Sequence, residues 1–568
     1  MARQYMLNLL RRLSPKTLKA DLSAGLTTAL VTIPDGIAAA ILAGLNPIHG
    51  LYAVMIGTPI AAMLASSHFM YVANTGAIAV VTGSALGEFS GDAKLQALVV
   101  LVVLVGLIQL ALGLLRLGGL VRFVANAVLI GFMTGIAVRI ILSQLGELNG
   151  YHAEGSNTLL RTFDWTAHLH RSDFWSSVIG LGTLALILLL NRTRAAQLAM
   201  AIALVVATLI VALAGLDGVA TLKDAATIPS GFPTLVLPQW SLVSTLLPAA
   251  AALAIIGLVQ GAGVSKTIPN PDGSYPDVSR DFSATGAASI ASGLFQGMPV
   301  GGAISETAVN VKAGARSRWA SMISGGFIVL AVLLLADAVA YLVMPAIAAL
   351  LITAGIEAIK PGRIGDVWHS GWKARVILLV TFVATLLMPV QQAVFLGVVL
   401  SMLHYLFISS VDVHIVSMSP LANGSFAEHP APTHLQPEQT VVLAAYGSLY
   451  FAAAATLEKK LPAAAPGACV ILRLRAVERV DSTLVTVIEQ YAHRLRRGGA
   501  TLMLAEVSPP LHAQLVKTGT IDVCGSERVF VSEDDVFAAT RSALQAAADT
   551  RQARSGPSTS PYRPVSHA

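Results

Sequence analysis

The sequence predicts an α-helical polytopic membrane protein followed by a cytoplasmic α/β domain, and three observations carry that prediction. Of 568 residues, 55% are hydrophobic and only 12% are charged, about half of the roughly 25% charge typical of a soluble domain. The apolar residues come in uninterrupted runs: residues 95–115 read LQALVVLVVLVGLIQLALGLL without a charge, and about 20 such residues cross a hydrocarbon core. The composition then changes near residue 409, after which the chain reads as soluble. A mean hydropathy of +0.71 excludes a cytosolic enzyme, a disordered protein and a secreted disulfide scaffold. Cys469 and Cys524 are the two cysteines, and both fall in the late polar region, where a cytoplasmic domain keeps thiols reduced.

Residues 1–20 form a basic arm with Arg3, Arg11, Arg12, Lys16 and Lys19. A secretory signal has a shorter charged region and a small-residue cleavage site, so this arm is read as cytoplasmic. Residues 21–409 form the transmembrane region. Its helical segments are expected near 21–43, 48–66, 74–89, 94–116, 119–146, 174–192, 195–216, 241–265, 281–296, 302–313, 317–336, 338–358, 373–388 and 391–409. Those near 74 and 302 are too short to span alone. Residues 410–438, rich in Ser, Pro and His, are read as a linker, 439–549 as the α/β domain, and 550–568 as a polar, disordered tail.

Charge distribution tests this order. With a cytoplasmic amino terminus, eighteen Lys and Arg fall on inside loops and four (Lys94, Arg161, Arg171 and Lys223) on outside loops, while Arg139 lies within a span. The bias predicts an even number of crossings with both termini in the cytoplasm. The net charge of +6 reflects those inside cations, not nucleic-acid binding.

Gly76-Ala77-Ile78-Ala79 recurs as Gly302-Ala303-Ile304-Ser305. Each copy follows an irregular stretch, residues 71–75 and 297–301. Each also opens the third segment of its half when fourteen segments divide seven and seven. Interrupted segments at matching places in two halves point to a transporter site. Two helix N-termini meeting near the midplane direct unpaired N–H groups and positive dipole ends at one spot, which suits an anion. The candidate residues are Asn74, Thr75, Gly76 and Ala77 in the first half, and Gly302, Ala303, Ile304 and Ser305 in the second, next to Gly301. Thr75 and Ser305 add hydroxyls. Tight packing of small residues is the alternative reading.

Ionisable residues within a membrane are costly and are functional candidates. Asp35 follows Pro34 in the first span, and Glu306 follows Ser305. Carboxylates beside an anion site repel the ligand unless protonated or neutralised, so the pair suggests proton coupling. Alternatively, Glu306 pairs with Lys312 or Arg316, and Asp35 caps a helix broken at Pro34. His168-x-His170 has no third ligand spaced to help, so no metal is expected. No phosphate loop of the G-x-x-x-x-G-K-[ST] type occurs, no cofactor is implied, and no nucleophile arrangement supports an enzyme.

The first span, AGLTTALVTIPDGIAAAILAGLNP, the Pro47-Ile48-His49-Gly50-Leu51-Tyr52 run and, most specifically, GGAISETAVNVKAGARSR at 301–318 resemble the SulP (sulfate permease) family of anion transporters. Residues 441–461, 469–491 and 499–519 resemble its carboxy-terminal STAS domain. The resemblance implies two inverted seven-helix repeats forming a core and a gate domain, and a homodimer in the cell (inner) membrane. It also implies small anions such as sulfate, bicarbonate, chloride or carboxylates as substrates, held between the third and tenth helices. Two departures stand out. Glu306 replaces an Arg common in relatives, and Gln260 replaces an acid of the eighth helix, which puts sodium coupling through that position in doubt and leaves Asp35 as a coupling candidate. In the STAS domain, Asp481-Ser482-Thr483 matches a loop that is either a phosphorylation switch, with Thr483 at the acceptor position, or a docking surface for a cytoplasmic partner; docking is preferred. The expected function is a secondary, proton-coupled anion transporter working by alternating access. The alternatives are an exchanger, a channel, or a membrane-anchored signalling scaffold without transport.

Overall fold

The computed structural model describes residues 15–119, 125–155, 157–225, 231–447, 449, 451–475 and 477–555. The chain divides into two compact units, residues 1–401 and 402–568.

The first unit is helical. Its segments are α1 (Pro15–Leu42), α2 (Ile48–Leu64), β1 (Val72–Ala73), α3 (Gly76–Leu86), α4 (Gly91–Leu114), α5 (Asn126–Asn149), α6 (Thr158–Ala167), α7 (Phe174–Leu190), α8 (Ala199–Ala214) and α9 (Leu222–Ala225). Then follow α10 (Val243–Thr267), α11 (Val278–Leu294), β2 (Gly301–Gly302), α12 (Ile304–Lys312), α13 (Trp319–Ala340), α14 (Met344–Ala358), α15 (Pro361–His369), α16 (Trp372–Leu387) and α17 (Val390–Val411). All fourteen expected segments are present. Among the described residues, seven helices are long and apolar enough to cross a membrane by length and composition alone. The short helices α6, α9 and α15 lie in stretches read as loops, because their apolar residues are too few to stand out beside true spans.

Setting α6, α9 and α15 aside, the packing pairs reveal the repeat. For several of the closest pairs, advancing each member by seven segments gives another observed pair. The α4–α11 contact matches α13–α2, α1–α13 matches α10–α4, α5–α16 matches α14–α7, α3–α10 matches α12–α1, and α5–α14 maps onto itself. A two-fold relation between the halves follows from this list. Glycines permit the closest of these contacts: a Cβ on Gly106 of α4 would lie 2.6 Å from the Gly286 carbonyl of α11, and one on Gly286 would lie 2.4 Å from the Leu110 amide. Small residues of this kind let membrane helices pack through backbone contact.

Buried carboxylates hold two of the connections. Asp281 accepts hydrogen bonds from the Ser66 amide at 2.6 Å, the Ser67 amide at 3.1 Å, and the hydroxyls of Ser66 and Ser265 at 2.7 Å each. Asp21 accepts from the amides of Arg316 and Ser317 and from the Ser317 hydroxyl. Each charge is shared among several donors, which offsets the cost of burying it.

The second unit is an α/β sandwich on a six-stranded sheet of order β4-β3-β5-β6-β7-β8. Its strands are β3 (Val413–Pro420), β4 (Phe426–Pro430), β5 (Thr440–Gly447), β6 (Cys469–Arg473), β7 (Thr501–Val507) and β8 (Val529–Val531). Strands β5 to β8 pair in parallel, and β3 pairs antiparallel with both β4 and β5. The period-two alternation of strand side chains separates two cores. Leu443, Val470, Leu472, Leu502 and Leu504 face α18 (Ala454–Lys460), α19 (Ser482–Arg497), α20 (Pro509–Thr518) and α21 (Thr520–Cys524). Val442, Ile471, Met503 and Ala505 face Ala543 and Ala547 of α22 (Ala538–Ser555).

Two boundaries differ from those read in the sequence. The stretch 410–438 carries β3 and β4 rather than a linker: its Pro and His residues hide an edge hairpin whose β3 gives Val413 and Ile415 to one core and Met418 to the other. Residues 550–555 continue α22, while 1–14 and 556–568 of the expected arm and tail lie outside the described residues.

Candidate functional site

The two half-helices are joined backbone to backbone. At 1.5 Å per residue, α3 with 11 residues and α12 with 9 residues each cover about half of a ~30 Å hydrocarbon core. The strand before each helix pairs antiparallel with the other, Val72 with Gly302 and Ala73 with Gly301. The Ala303 amide donates to the Tyr71 carbonyl at 2.9 Å. The Tyr71 amide donates to the Thr307 hydroxyl at 3.0 Å, which itself donates to the Ala303 carbonyl at 2.5 Å. From α2, the Thr58 hydroxyl donates to the Val72 carbonyl at 2.5 Å. The sequence repeat gave the half-helices but not this interlock: Tyr71, Thr307 and Thr58 lie outside the repeated four residues. The irregular stretch at 71–75 was their only signal.

Thr75 is the N-cap of α3 and accepts from the Ile78 amide at 3.4 Å. Gln260, on α10 and 8% exposed, meets the same hydroxyl: its Nε2 donates to Thr75 at 3.1 Å, and its Oε1 lies 3.2 Å away as an acceptor. Asn74 donates from Nδ2 to the Gly36 carbonyl at 3.3 Å, and its buried Oδ1 has no hydrogen-bond partner among the described residues. The N-cap of α12 is Ala303, without a side-chain cap. After it, Ile304 and Ser305 are exposed. The first amides of both helices have no intrahelical acceptor.

Gly301 and Gly302 let β2 lie against α10. A Cβ on Gly301 would sit 3.1 Å from Gln260 Oε1, and one on Gly302 would sit 2.8 Å from the Gly261 Cα. A Cβ on Gly76 would instead lie 3.2 Å from Ile140 of α5. Thus β2 is backed by α10, and α3 by α5.

Asp35 is half-buried in α1, which continues as helix through Pro34. The helix-breaking cap considered for Asp35 is not formed. The fields acting on Asp35 come from Glu306 and Glu357. Glu306 is 8% exposed in the first turn of α12, and its carboxylate accepts from its own backbone amide. Among the described residues it forms no ion pair with Lys312 or Arg316. Among the described residues Arg139 pairs with no carboxylate; it donates to the carbonyls of Thr385 and Met388 at 3.4 and 3.3 Å, at the end of α16.

In the second unit, Asp481 caps α19 by accepting from the Leu484 amide at 2.9 Å. Ser482 and Thr483 are exposed and line an open groove of about 480 Å³ with Phe451, Glu458, Thr486 and Gln490.

Comparison with known proteins agrees with this architecture. Residues 18–381 match the sulfate permease family, and residues 431–536 match the STAS domain. A probable sulfate transporter of Mycobacterium tuberculosis is 28% identical over 92% of this chain and 95% of its own length. The murine solute carrier 26 family member A9 anion transporter superimposes with a TM-score of 0.83 at 19% identity, covering 96% of this chain and 94% of that one. The transmembrane domain of BicA, a cyanobacterial bicarbonate transporter, superimposes with a TM-score of 0.57 at 23% identity, over 68% of this chain and 98% of that one. The chain belongs to the sulfate permease family, with two inverted seven-helix repeats followed by a STAS domain.

Proposed function

We propose that the protein is a proton-coupled secondary transporter of a small anion, of the sulfate, bicarbonate or carboxylate class, working by alternating access. The observation that carries this reading is the β1–β2 pairing, which holds the N-termini of α3 and α12 side by side. The amides of Gly76, Ala77, Ile304 and Ser305, with the hydroxyls of Thr75 and Ser305, then offer donors to one anion. Asn74, Ala303 and Gly302 shape the approach. Positive helix ends suit such a ligand without a fixed cation. The names of the relatives support sulfate or bicarbonate as first candidates.

Glu306 gives the coupling its physical logic. A carboxylate at the third position of α12 is itself stabilised by the positive helix end. Ionised, it competes with the substrate for that end; protonated, it stops competing. Anion and proton therefore load together, and Asp35 is the second group whose charge must be neutralised. Gln260, a neutral amide, contributes position rather than charge. Carriage across the membrane is by movement of the core (α1–α4 and α10–α13) against the gate.

The surplus of inside cations supports both termini in the cytoplasm of a cell with the protein in its inner membrane. A homodimer, and a cytoplasmic protein docked on the Asp481-Ser482-Thr483 groove, complete the reading; the exposed hydroxyls of Ser482 and Thr483 support the latter.

The test is uptake into proteoliposomes of sulfate, bicarbonate, succinate, chloride and nitrate, at two pH values and with an imposed pH gradient. Uphill uptake of one anion, driven by inward proton flow, is the expected result. Flux at background for every anion, with a partner bound to residues 439–549, would favour the signalling scaffold. Flux that never runs uphill would favour a channel.

A further inference from the structure

The inverted repeat places one short amphipathic helix after α5 and another at the matching place after α14, and the two differ in chemistry. The inner face of α15 is settled by its packing: Val367 is 3% exposed, and it and Ile364 join Ala127, Val128 and Ile130 of α5. Its outer face and the start of α16 carry Lys360, Arg363, Trp368, Trp372 and Arg375. Trp368 is 43% exposed and Trp372 is 68% exposed. Arg375 donates from Nε to the Trp368 carbonyl at 2.6 Å and lies 5.4 Å from the Trp368 ring centre. Asp366 is the one acid on α15. Below this cluster the exposed face of α16 is purely apolar, with Val376, Leu379, Val380, Val383 and Leu387. The cluster is thus continuous with a lipid-facing wall and stands at its rim, where tryptophan rings and basic side chains meet headgroups. On α6, by contrast, the exposed Arg161 is tied from Nε to the Gly155 carbonyl, Asp164 gathers the Tyr151 hydroxyl and the Glu154 amide, and the large exposed apolar residues are Leu160 and Phe163 rather than tryptophans.

We propose that α15 and the first turn of α16 form a binding surface for anionic phospholipid headgroups. The cations hold the phosphate, and the two tryptophans seat at the depth of the glycerol backbone. The surface sits on gate helices and is independent of which anion is carried.

The test uses the purified full-length protein equilibrated with vesicles of equal phosphatidylglycerol and phosphatidylcholine, with retained lipids counted by native mass spectrometry. Wild type is expected to retain phosphatidylglycerol preferentially. Lys360 and Arg363 are exposed and make no side-chain hydrogen bond among the described residues, so Lys360→Gln/Arg363→Gln tests charge without disturbing the fold. At about 1 kcal/mol per surface cation and about 1.4 kcal/mol per decade, that double variant reduces the preference about thirtyfold, and Lys360→Arg/Arg363→Lys keeps it near wild type. Arg161→Gln on α6 leaves it unchanged. An unchanged preference in the double variant, an equal loss in Arg161→Gln, or displacement of the lipid by inorganic phosphate would each overturn the proposal.

Discussion

The helices α3 and α12 occupy equivalent places in the two repeats, yet their first turns are finished differently. The start of α3 is closed by the protein itself: Thr75 caps it, Gln260 holds Thr75, and Asn74 is tied to Gly36. The start of α12 has an alanine cap and presents Ile304 and Ser305 outward, with Glu306 behind them. One end is a fixed post and the other is open. Two-fold repetition of the backbone therefore does not make a symmetric site. In the proposed reading, both helix ends face the anion, but the side chains make the first the more rigid and leave the second the more open to ligand and proton.

The largest effect is expected where both ends depend on one contact. Gly302→Ala puts a methyl group 2.8 Å from the Gly261 backbone, which no side-chain rotation relieves. Overpacking of this kind costs about 1–3 kcal/mol, and here it must be relieved by moving β2 off α10. Anion uptake should fall at least tenfold, by the scale of about 1.4 kcal/mol per decade. Uptake within twofold of wild type would show that the two ends need not be held in register.

Next in size is the open end's carboxylate. With Glu306→Gln, downhill exchange should persist while accumulation driven by a pH gradient is lost, because the amide neither competes for the helix end nor carries a proton. Asp35→Asn tests the other carboxylate in the same assay. If either variant still concentrates the anion on a pH gradient, that residue is not the coupling group.

The two half-helices, though not the asymmetry between them, were legible in the sequence. The repeated four residues and the irregular stretches before them located both half-helices, and Asp35 and Glu306 stood out as charges among apolar neighbours. What stayed hidden depends on partners distant in sequence. The β1–β2 pairing joins residues about 230 positions apart, an interval read from the register, and two-residue strands leave no periodicity to detect. Asp281, in the first turn of α11, and Asp21, inside α1, read as ordinary helix acids until their distant donors are seen. The hairpin β3–β4 was lost in a Pro- and His-rich stretch because β3 sends Val413 and Ile415 to one core and Met418 to the other, so no clean apolar/polar alternation marks it.

A smaller difference separates the two hydroxyls. Ser305→Ala removes a donor from the open end. A hydrogen bond to a charged group is worth about 1.5–3 kcal/mol, so the KM for the anion should rise about tenfold with the maximal rate little changed. Thr75→Val acts on the post instead: it removes a cap worth about 1 kcal/mol and strands the Gln260 amide. Here the maximal rate should fall along with affinity. Identical kinetic signatures for the two variants would erase the distinction between post and open end.

The smallest effect lies in the STAS domain, where a third helix start can be set against the other two. Asp481 closes α19 as Thr75 closes α3, but its neighbours Ser482 and Thr483 stay exposed in a groove, so the helix start is capped and still accessible. Asp481→Ala removes a cap worth about 1 kcal/mol, and hydrogen exchange at the Leu484 amide of the full-length protein should quicken about fivefold, that energy expressed as an opening ratio. Asp481→Asn keeps the acceptor and should hold exchange near wild type. Thr483→Ala leaves the cap intact and should leave exchange unaltered. Faster exchange in Thr483→Ala would mean that the groove's hydroxyls help hold the helix start, and α19 would then belong with the closed post rather than with a surface free to receive a partner.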